Sequence, residues 1–363
     1  MARSAAKGSA SRLAKTHPQA CEGLIWHDPR RAPFRLCGFA WFAQDRVYRR
    51  MPLKPAQPLP EAVDNLAWDT AGGQIRFTTN SRSLGLRVVL RSVNRPDHMA
   101  QTNTCAFDVY IKRSGSWRYY HTSRGDFTRG VYEHFCFEHP DSEPREFLLN
   151  FPQYGGVNEV EVGLEPGAKV SAPAPFALKY PVVLYGTSIL QGGCATRPGM
   201  GYPNILGRHM HIECINLGFS GSGRGEPEVA NAIATIKHVS MFVLDYEANS
   251  NYEGLKATLP NFIRTLRAKH PKTPILVLSQ IMFGKEHTQS RAFKTRALKI
   301  TLQREIVEGF RAQGDKHVHF HDGTHLLGAD YDECTVDSVH PTDLGFYRMA
   351  ESLEPVFHKL LFP

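Results

Sequence analysis

Hydrophobic and polar positions alternate every second residue through much of the first half of the chain. In the run LGLRVVLRSV at 84–93, four aliphatic residues fall on one side and two arginines on the other. This alternation is typical of a strand with one buried face. Similar runs occupy 73–80, 105–113, 117–123, 145–152 and 157–165. Turn-forming residues lie between these runs. Many short strands at a spacing of roughly 8–12 residues predict a β-sandwich.

The pattern changes near residue 175, where continuous apolar runs begin to alternate with helix-length segments. Runs such as PVVLY at 181–185 are typical of strands that are covered on both faces. Further runs of this kind occupy 213–218, 239–246, 274–281 and 317–323. The segments 252–270, 291–313 and 343–360 repeat apolar residues every three or four positions and predict amphipathic helices. This order predicts a three-layer α/β/α domain with a parallel sheet.

The chain therefore divides into a tail and two predicted domains. Residues 1–21 are small, polar and basic, and we expect them to form a disordered tail. Residues 22–175 are assigned to the β-sandwich, with a jelly-roll-like arrangement, and residues 177–363 to the α/β/α domain. The stretch 171–181, rich in Pro and Ala, is typical of a short stiff connector between them.

The charge, the apolar content and the cysteines of the chain indicate which partners and which cellular compartment to expect. The formal net charge is +8, but the basic residues are scattered, so nucleic-acid binding is not expected. No run approaches ~18 apolar residues, so no membrane span is expected either. The first residues lack the apolar region of a secretory signal, which predicts a cytoplasmic protein, with a trimmed leader left open. The seven cysteines are widely spaced, which favours free thiols over a disulfide framework.

Ser188 follows the first apolar run of the second half, in YGTSILQGG. Ligands of open α/β sheets bind beyond the carboxyl ends of the strands, so Ser188 lies where chemistry is expected. Taken alone, a serine at this point could simply cap the helix that follows it.

Asp337 and His340 lie three residues apart in DSVHP, on a loop before the last predicted helix. A carboxylate at that spacing can reach the imidazole N–H and orient the ring as a general base. A hydroxyl is a poor nucleophile near neutral pH, so Ser188 would need such a base. The alternative makes Asp337 a turn residue and His340 a surface histidine.

Two further segments, each after an apolar run, could supply hydrogen-bond donors. Gly221 in NLGFSGSG leaves a backbone N–H unobstructed, and Asn249 in VLDYEANS could point its side-chain amide at the same place. Two or three donors aimed at one oxygen form an oxyanion hole, which stabilises a tetrahedral intermediate. Either residue alone is more often part of an ordinary turn.

Taken together, GTS, NLGFSGSG and DSVHP resemble three of the sequence blocks of the SGNH (GDSL-like) hydrolases, over about residues 177–363. The resemblance implies that Ser188 is the nucleophile and that Asp337 and His340 complete its catalytic triad. It also implies that the Ser188 backbone, Gly221 and Asn249 form the oxyanion hole.

Two positions depart from the family pattern. Thr187 stands where the family usually has Asp. The third block of the family usually reads Gly-x-Asn-Asp, whereas this chain reads LDYEANS. Asn249 is therefore assigned by its position beyond the strand, and Asn251 is the alternative.

Some neighbouring residues are candidates for other roles. Four residues that flank the proposed site are predicted to contact the substrate: Tyr202, Arg224, Tyr246 and Glu247. Arg224 could pair with an anionic group. Three histidines on one side of a run could bind a transition metal, but a core strand fits that run better, so no metal site is predicted: His317, His319 and His321.

The resemblance implies a serine esterase that needs no cofactor. Family members with a β-rich N-terminal domain include carbohydrate esterases and acyltransferases, so the expected substrate is a small acyl ester, an acetyl ester of a sugar or oligosaccharide. An acyltransferase that uses the same triad with an alcohol acceptor is the first alternative. A non-catalytic glycan-binding protein is the second, and the oligomeric state stays open.

Overall fold

The computed structural model describes residues 21–93 and 96–362, which form two compact units. The first contains residues 21–37, Trp68–Pro175 and Arg197–Gly199, and the second contains Gly38–Ala67, Phe176–Thr196 and residues 200–362. The sequence pattern assigned the whole of 22–175 to one domain, whereas Gly38–Ala67 folds with the second unit. The tail predicted over 1–21 lies, up to residue 20, outside the described residues.

The first unit consists mainly of antiparallel strands in two sheets. The strands are β1 (Ile25–His27), β2 (Arg35–Cys37), β3 (Gln74–Thr79), β4 (Ser83–Leu90), β5 (Asp108–Arg113), β6 (Ser116–Thr122), β7 (Val131–Glu138), β8 (Arg145–Asn150), β9 (Val157–Leu164) and β10 (Val170–Ser171). One sheet has the order β1-β9-β4-β7, and the other has β10-β3-β8-β5-β6 with β2 paired to β3. Phe137 of the first sheet packs against Phe147 of the second, with ring centroids 5.0 Å apart. The predicted sandwich is confirmed.

The second unit is built on a parallel sheet with the strand order β12-β11-β13-β14-β15. Its strands are β11 (Val182–Gly186), β12 (Cys214–Gly218), β13 (Met241–Asp245), β14 (Ile275–Leu278) and β15 (Val318–His321). The helices of the described chain are α1 (Phe42–Asp45), α2 (Glu61–Leu66), α3 (Gln101–Thr104), α4 (Ser188–Gln191), α5 (Tyr202–His209), α6 (Pro227–Ile233), α7 (Tyr252–Lys269), α8 (Ser290–Ala312) and α9 (Asp343–Leu361). All but α3 belong to this unit.

Side chains of the parallel strands alternate between two apolar cores. Val183 and Tyr185 face a core that includes residues of α6 and α7, whereas Val182 and Leu184 face a core that includes residues of α5 and α9. Successive residues of a strand point to opposite faces, so both faces of the sheet are covered. The predicted three-layer α/β/α arrangement is confirmed.

The buried face of α8 differs from the one that its aliphatic residues predict. Leu298 lies on the expected face but is 61% exposed, while Leu302, one turn later, is buried. Three of the buried residues of α8 are polar: Arg296, Lys299 and Gln303. Counting only apolar residues therefore misplaces the inward face of this helix.

The segment Gly38–Ala67 is tied to the second unit by a buried arginine. The Arg50 guanidinium donates to the backbone carbonyls of Leu66, Asn216 and Gly218. It also lies over the ring of Phe219, 4.7 Å from the centroid. Residues from the N-terminal part of the sequence thus support the end of β12.

The cysteines and the described helices bear on the expected free thiols and on the expected absence of a membrane span. All seven cysteines are free thiols. Among the described helices, none combines the length and the apolar character that a membrane crossing requires.

Candidate active site

Three loops meet at the carboxyl edge of the parallel sheet because they follow adjacent strands. Ser188 comes two residues after β11 ends, the segment 219–223 follows β12, and the segment 246–250 follows β13. Since β11 lies between β12 and β13, these loops are neighbours at one edge. Gly186 permits their close approach, because a Cβ there would overlap the carbonyl oxygen of Asp245.

Ser188 is the first residue of α4, and its hydroxyl is not the cap of that helix. The N-cap is Thr187, whose hydroxyl accepts a hydrogen bond from the backbone N–H of Ile189. The Ser188 hydroxyl instead lies 2.8 Å from Nε2 of His340. The helix-cap alternative considered for Ser188 thus belongs to Thr187.

Asp337 holds the His340 ring in one orientation. Its Oδ2 lies 2.7 Å from Nδ1 of His340, and its Oδ1 accepts the backbone N–H groups of Val339 and His340. Burial alone would raise the pKa of Asp337, but the hydrogen bonds from His340 outweigh it and hold that pKa below its ordinary value. An ionised carboxylate fixes the proton on Nδ1, so Nε2 can accept the proton of the Ser188 hydroxyl.

The loop after β12 presents Gly221 in an open position. Gly221 has φ +67°, and a Cβ added there would meet no atom within 4 Å. The preceding residue, Ser220, is anchored from α4, because Gln191 Oε1 accepts hydrogen bonds from its backbone N–H and from its hydroxyl. The helix that begins with Ser188 therefore also supports the loop that carries Gly221.

The loop after β13 carries Asn249 at the end of a 3-10 turn, Glu247–Asn249. The Asn249 amide nitrogen donates to the carbonyl of Phe219 at 3.3 Å, which links this loop to the one after β12. Asn251 is instead the N-cap of α7, and its side chain accepts the N–H of Gly254 at 2.7 Å. Of the two asparagines, Asn249 is the one that contacts the Gly221 loop.

The four predicted substrate contacts differ sharply in exposure. Tyr202 is buried and donates to Asp245, Tyr246 is buried and bonds Thr258, and the carboxylate of Glu247 is buried. The structure does not bring these three side chains to the surface, because each has a partner inside the fold. Arg224 is exposed, and its Nε donates to the carbonyl of Gly221 at 3.0 Å.

Several residues that support these loops were not found from the sequence. Gln191 had a usable signal, because it lies one helical turn after Ser188 and so shares its side of α4. Asp245, in contrast, is recognisable from the sequence as a residue that flanks the proposed site at the end of the β13 run, and burial raises its pKa to about 7. Lys299 and Arg50 gave no local signal, because the loops that they contact are distant in sequence.

Comparisons with known proteins agree over both units. A family model described as the GDSL-like lipase/acylhydrolase family matches residues 179–358, and one described as the N-terminus of Esterase_SGNH_hydro-type matches residues 24–170. No curated protein matches this chain.

Solved structures with the same fold include three informative neighbours. A GDSL-like lipase from Bacteroides ovatus is 31% identical, with a TM-score of 0.85, and the match covers 93% of this chain and 98% of that one. The salicylyl-acyltransferase SsfX3 from a tetracycline biosynthetic pathway is 20% identical, with a TM-score of 0.75 and the same coverage. A family two carbohydrate esterase from Clostridium thermocellum, in complex with cellohexaose, is 14% identical, with a TM-score of 0.56 over 80% of this chain and 93% of that one.

Proposed function

We propose that this chain, which belongs to the GDSL-like lipase/acylhydrolase family of SGNH esterases, hydrolyses a small acyl ester of a carbohydrate, an acetyl ester, through Ser188, His340 and Asp337. The observation that carries the proposal is the continuous hydrogen-bonded chain from the Ser188 hydroxyl through both ring nitrogens of His340 to the Asp337 carboxylate.

The first half-reaction transfers the acyl group to the serine. His340 Nε2 takes the hydroxyl proton as the Ser188 oxygen attacks the acyl carbonyl, and Asp337 stabilises the imidazolium that forms. The tetrahedral intermediate collapses when the sugar oxygen leaves with the proton from His340. A water molecule then attacks the acyl-enzyme by the same route, which releases acetate and restores the free serine.

The oxyanion of each intermediate needs donors that are already in place. In the proposal these are the backbone N–H groups of Ser188 and Gly221 and the amide of Asn249. The amide nitrogen of Asn249 carries two hydrogens, so one can remain on the Phe219 carbonyl while the other faces the oxyanion. Fixed donors of this kind are among the largest contributions to acyl-transfer catalysis.

The choice of a carbohydrate ester is supported by the fold neighbours. A family two carbohydrate esterase with bound cellohexaose shares the fold. The salicylyl-acyltransferase shares it as well and supports a second candidate function, in which an alcohol replaces water as acceptor. Both reactions use the same acyl-enzyme, so the acceptor is what an experiment must decide.

The nucleophile is tested by p-nitrophenyl acetate turnover of the parent and of Ser188→Ala. We expect kcat to fall by at least about a thousandfold, as is usual when a triad residue is removed. Ser290→Ala, an exposed serine at the start of α8, is the matched control and should turn over like the parent. Equal rates for the parent and Ser188→Ala would instead favour a non-catalytic glycan-binding protein.

The substrate is tested by product analysis. The parent is incubated with acetylated cello- and xylo-oligosaccharides and, separately, with long-chain p-nitrophenyl esters, and released acid is quantified. We expect acetate release from the oligosaccharides to exceed release from the long-chain esters. Adding free sugar or alcohol acceptors separates the two functions, because an acyltransferase would form more transfer product than free acid.

A further inference from the structure

We propose that Lys299, on α8, is a positioning residue that holds the loop 246–250 so that Asn249 keeps its amide in place for the oxyanion. The inference rests on the proposed function, because it assigns Asn249 to the oxyanion hole. It assigns to Lys299 a role in turnover although the residue is buried beneath the loop and touches no reacting atom.

The Lys299 ammonium is bonded on both sides of Asn249. Its Nζ donates to the carbonyl of Glu247 and to the carbonyl of Ser250, each at 3.2 Å. A third bond goes to Oε1 of Gln280 at 3.1 Å. All three hydrogens of the ammonium have an acceptor. The group therefore links the loop 246–250 to the segment that follows β14.

The Glu247 carboxylate completes this buried cluster. Its Oε1 lies 3.4 Å from Lys299 Nζ, and its Oε2 accepts the N–H of Gln280 and the side-chain amide of Gln303. Both charged side chains are buried, so removing either one leaves an uncompensated charge. Glu247, predicted to contact substrate, is instead part of the support beneath the loop.

This arrangement explains how the loop functions without the usual family motif. The sequence LDYEANS lacks the Gly-x-Asn-Asp pattern, and the short turn Glu247–Asn249 has local backbone bonds from the N–H of Asn249 to Tyr246 and from the N–H of Ser250 to Glu247. Two of the carbonyls that bracket Asn249 point into the protein, onto one ammonium. Fixing them limits the movement of Asn249, whose amide reaches the Phe219 carbonyl at 3.3 Å.

The main test replaces both charges at once, with Lys299→Met/Glu247→Gln, so that no lone buried charge remains. We expect the folded variant to lose about ten- to a hundredfold in kcat for p-nitrophenyl acetate, with KM changed much less, because a transition-state interaction is weakened. A kcat within twofold of the parent would overturn the proposal.

A matched control separates positioning from general loss of stability. Arg267 is another partly buried cation on a helix of this unit: it pairs with Asp315 and donates to the carbonyls of His270 and Thr273. That loop precedes β14 and so lies at the opposite edge of the sheet. Arg267→Met should lower Tm with kcat unchanged. A comparable loss of kcat in both variants would contradict a specific role for Lys299.

A double-mutant cycle asks whether Lys299 acts through Asn249. The charge-neutral pair is introduced into Asn249→Ala, and the losses in kcat are compared. We expect the second change to add little once the amide is gone, since both changes remove the same contribution. Fully additive losses would overturn the mechanism. If this charge-neutral pair does not fold, Lys299→Gln/Glu247→Gln, which is also charge-neutral and retains a shorter donor at position 299, takes its place in the cycle with the same expected outcome.

Labelling with a fluorophosphonate distinguishes failure of this inference from failure of the proposed function. If the parent is not labelled at Ser188, the proposed function fails. If the parent is labelled and the charge-neutral variant is labelled at the same rate, only the role of Lys299 fails. A slower rate of labelling in the variant supports both.

Discussion

The loop 337–340 and the loop 246–250 each offer one group to the same proposed reaction, but they are held by different kinds of contact. Asp337 binds the ring and the backbone of a residue three positions away. On either side of Asn249, the carbonyls of Glu247 and Ser250 accept hydrogen bonds from Lys299, which lies about fifty positions later in the sequence on α8. The contacts that orient His340 come from its own loop, whereas the loop that carries Asn249 is also held by a side chain from a distant helix. This difference explains why the family motif is recognisable in the sequence of the loop 337–340 but not in that of the loop 246–250, although both loops belong to the same site.

The largest effect is expected when the carboxylate of Asp337, in the loop 337–340, is removed. Asp337→Asn should lower kcat by about a thousandfold or more, because an amide can stabilise the wrong ring tautomer and cannot stabilise the imidazolium. Asp332→Asn, which changes an exposed carboxylate in the 3-10 turn Tyr331–Cys334 just before the loop, is the control and should keep parental kcat. Steady-state kinetics on p-nitrophenyl acetate measure both, and a similar small effect for the two would contradict the assignment.

The next largest effect concerns Asn249 and Asn251, whose substitutions should change different properties of the protein. Asn249→Ala is expected to lower kcat about a hundredfold, because one oxyanion donor is lost. Asn251→Ala should leave kcat unchanged and lower the free energy of unfolding by about 1 kcal/mol, since it removes the N-cap of α7. Kinetics and denaturant unfolding on both variants decide between them. The reverse pattern would make Asn251 the donor.

A smaller effect concerns the carboxyl that ends β13. Burial raises the pKa of Asp245 to about 7, while Asp337 has a lowered pKa. The folded state therefore holds a proton on Asp245 more strongly than the unfolded state does. The buried carboxyl consequently lowers the free energy of unfolding by an amount that increases from about pH 4 to about pH 7 and is constant above pH 7. Asp245→Asn can still accept a hydrogen bond from Tyr202 and removes this cost.

We expect Asp245→Asn to raise Tm more at pH 8 than at pH 5, with a gain of about 2–4 °C for each kcal/mol. Thermal unfolding at both pH values measures the difference. Asp332→Asn should show no such pH dependence. Equal gains for Asp245→Asn at both values would mean that the carboxyl is not protonated in the fold below pH 7.

The architecture could be predicted from the sequence because it depends on local periodicity. The alternation in β4 and the apolar spacing of α7 correspond to one buried side in each, and both are confirmed. The helix α8 was predicted less well, because Lys299 and Gln303 are buried for reasons of hydrogen bonding. A pattern of apolar residues carries no information about polar side chains that find partners inside the fold.

The candidate site could be predicted only in part, for the same reason. Ser188 and His340 are brought together as the motifs suggested, 2.8 Å apart. Tyr246 directly follows β13 and Tyr202 begins α5, but both side chains are buried in the fold. Position in the sequence locates a residue near a strand end, whereas the direction of its side chain depends on neighbours that the sequence does not identify.

The attachment of Arg50 to the end of β12 has a consequence for biosynthesis. The carbonyl of Gly218 that this arginine binds belongs to a residue made 168 positions later. At roughly 5–20 residues per second, the ribosome needs about ten to thirty seconds to cover that distance. The arginine is therefore synthesised well before two of its three acceptors, the carbonyls of Asn216 and Gly218. These contacts of the second unit cannot form until more than half of the polypeptide has been translated.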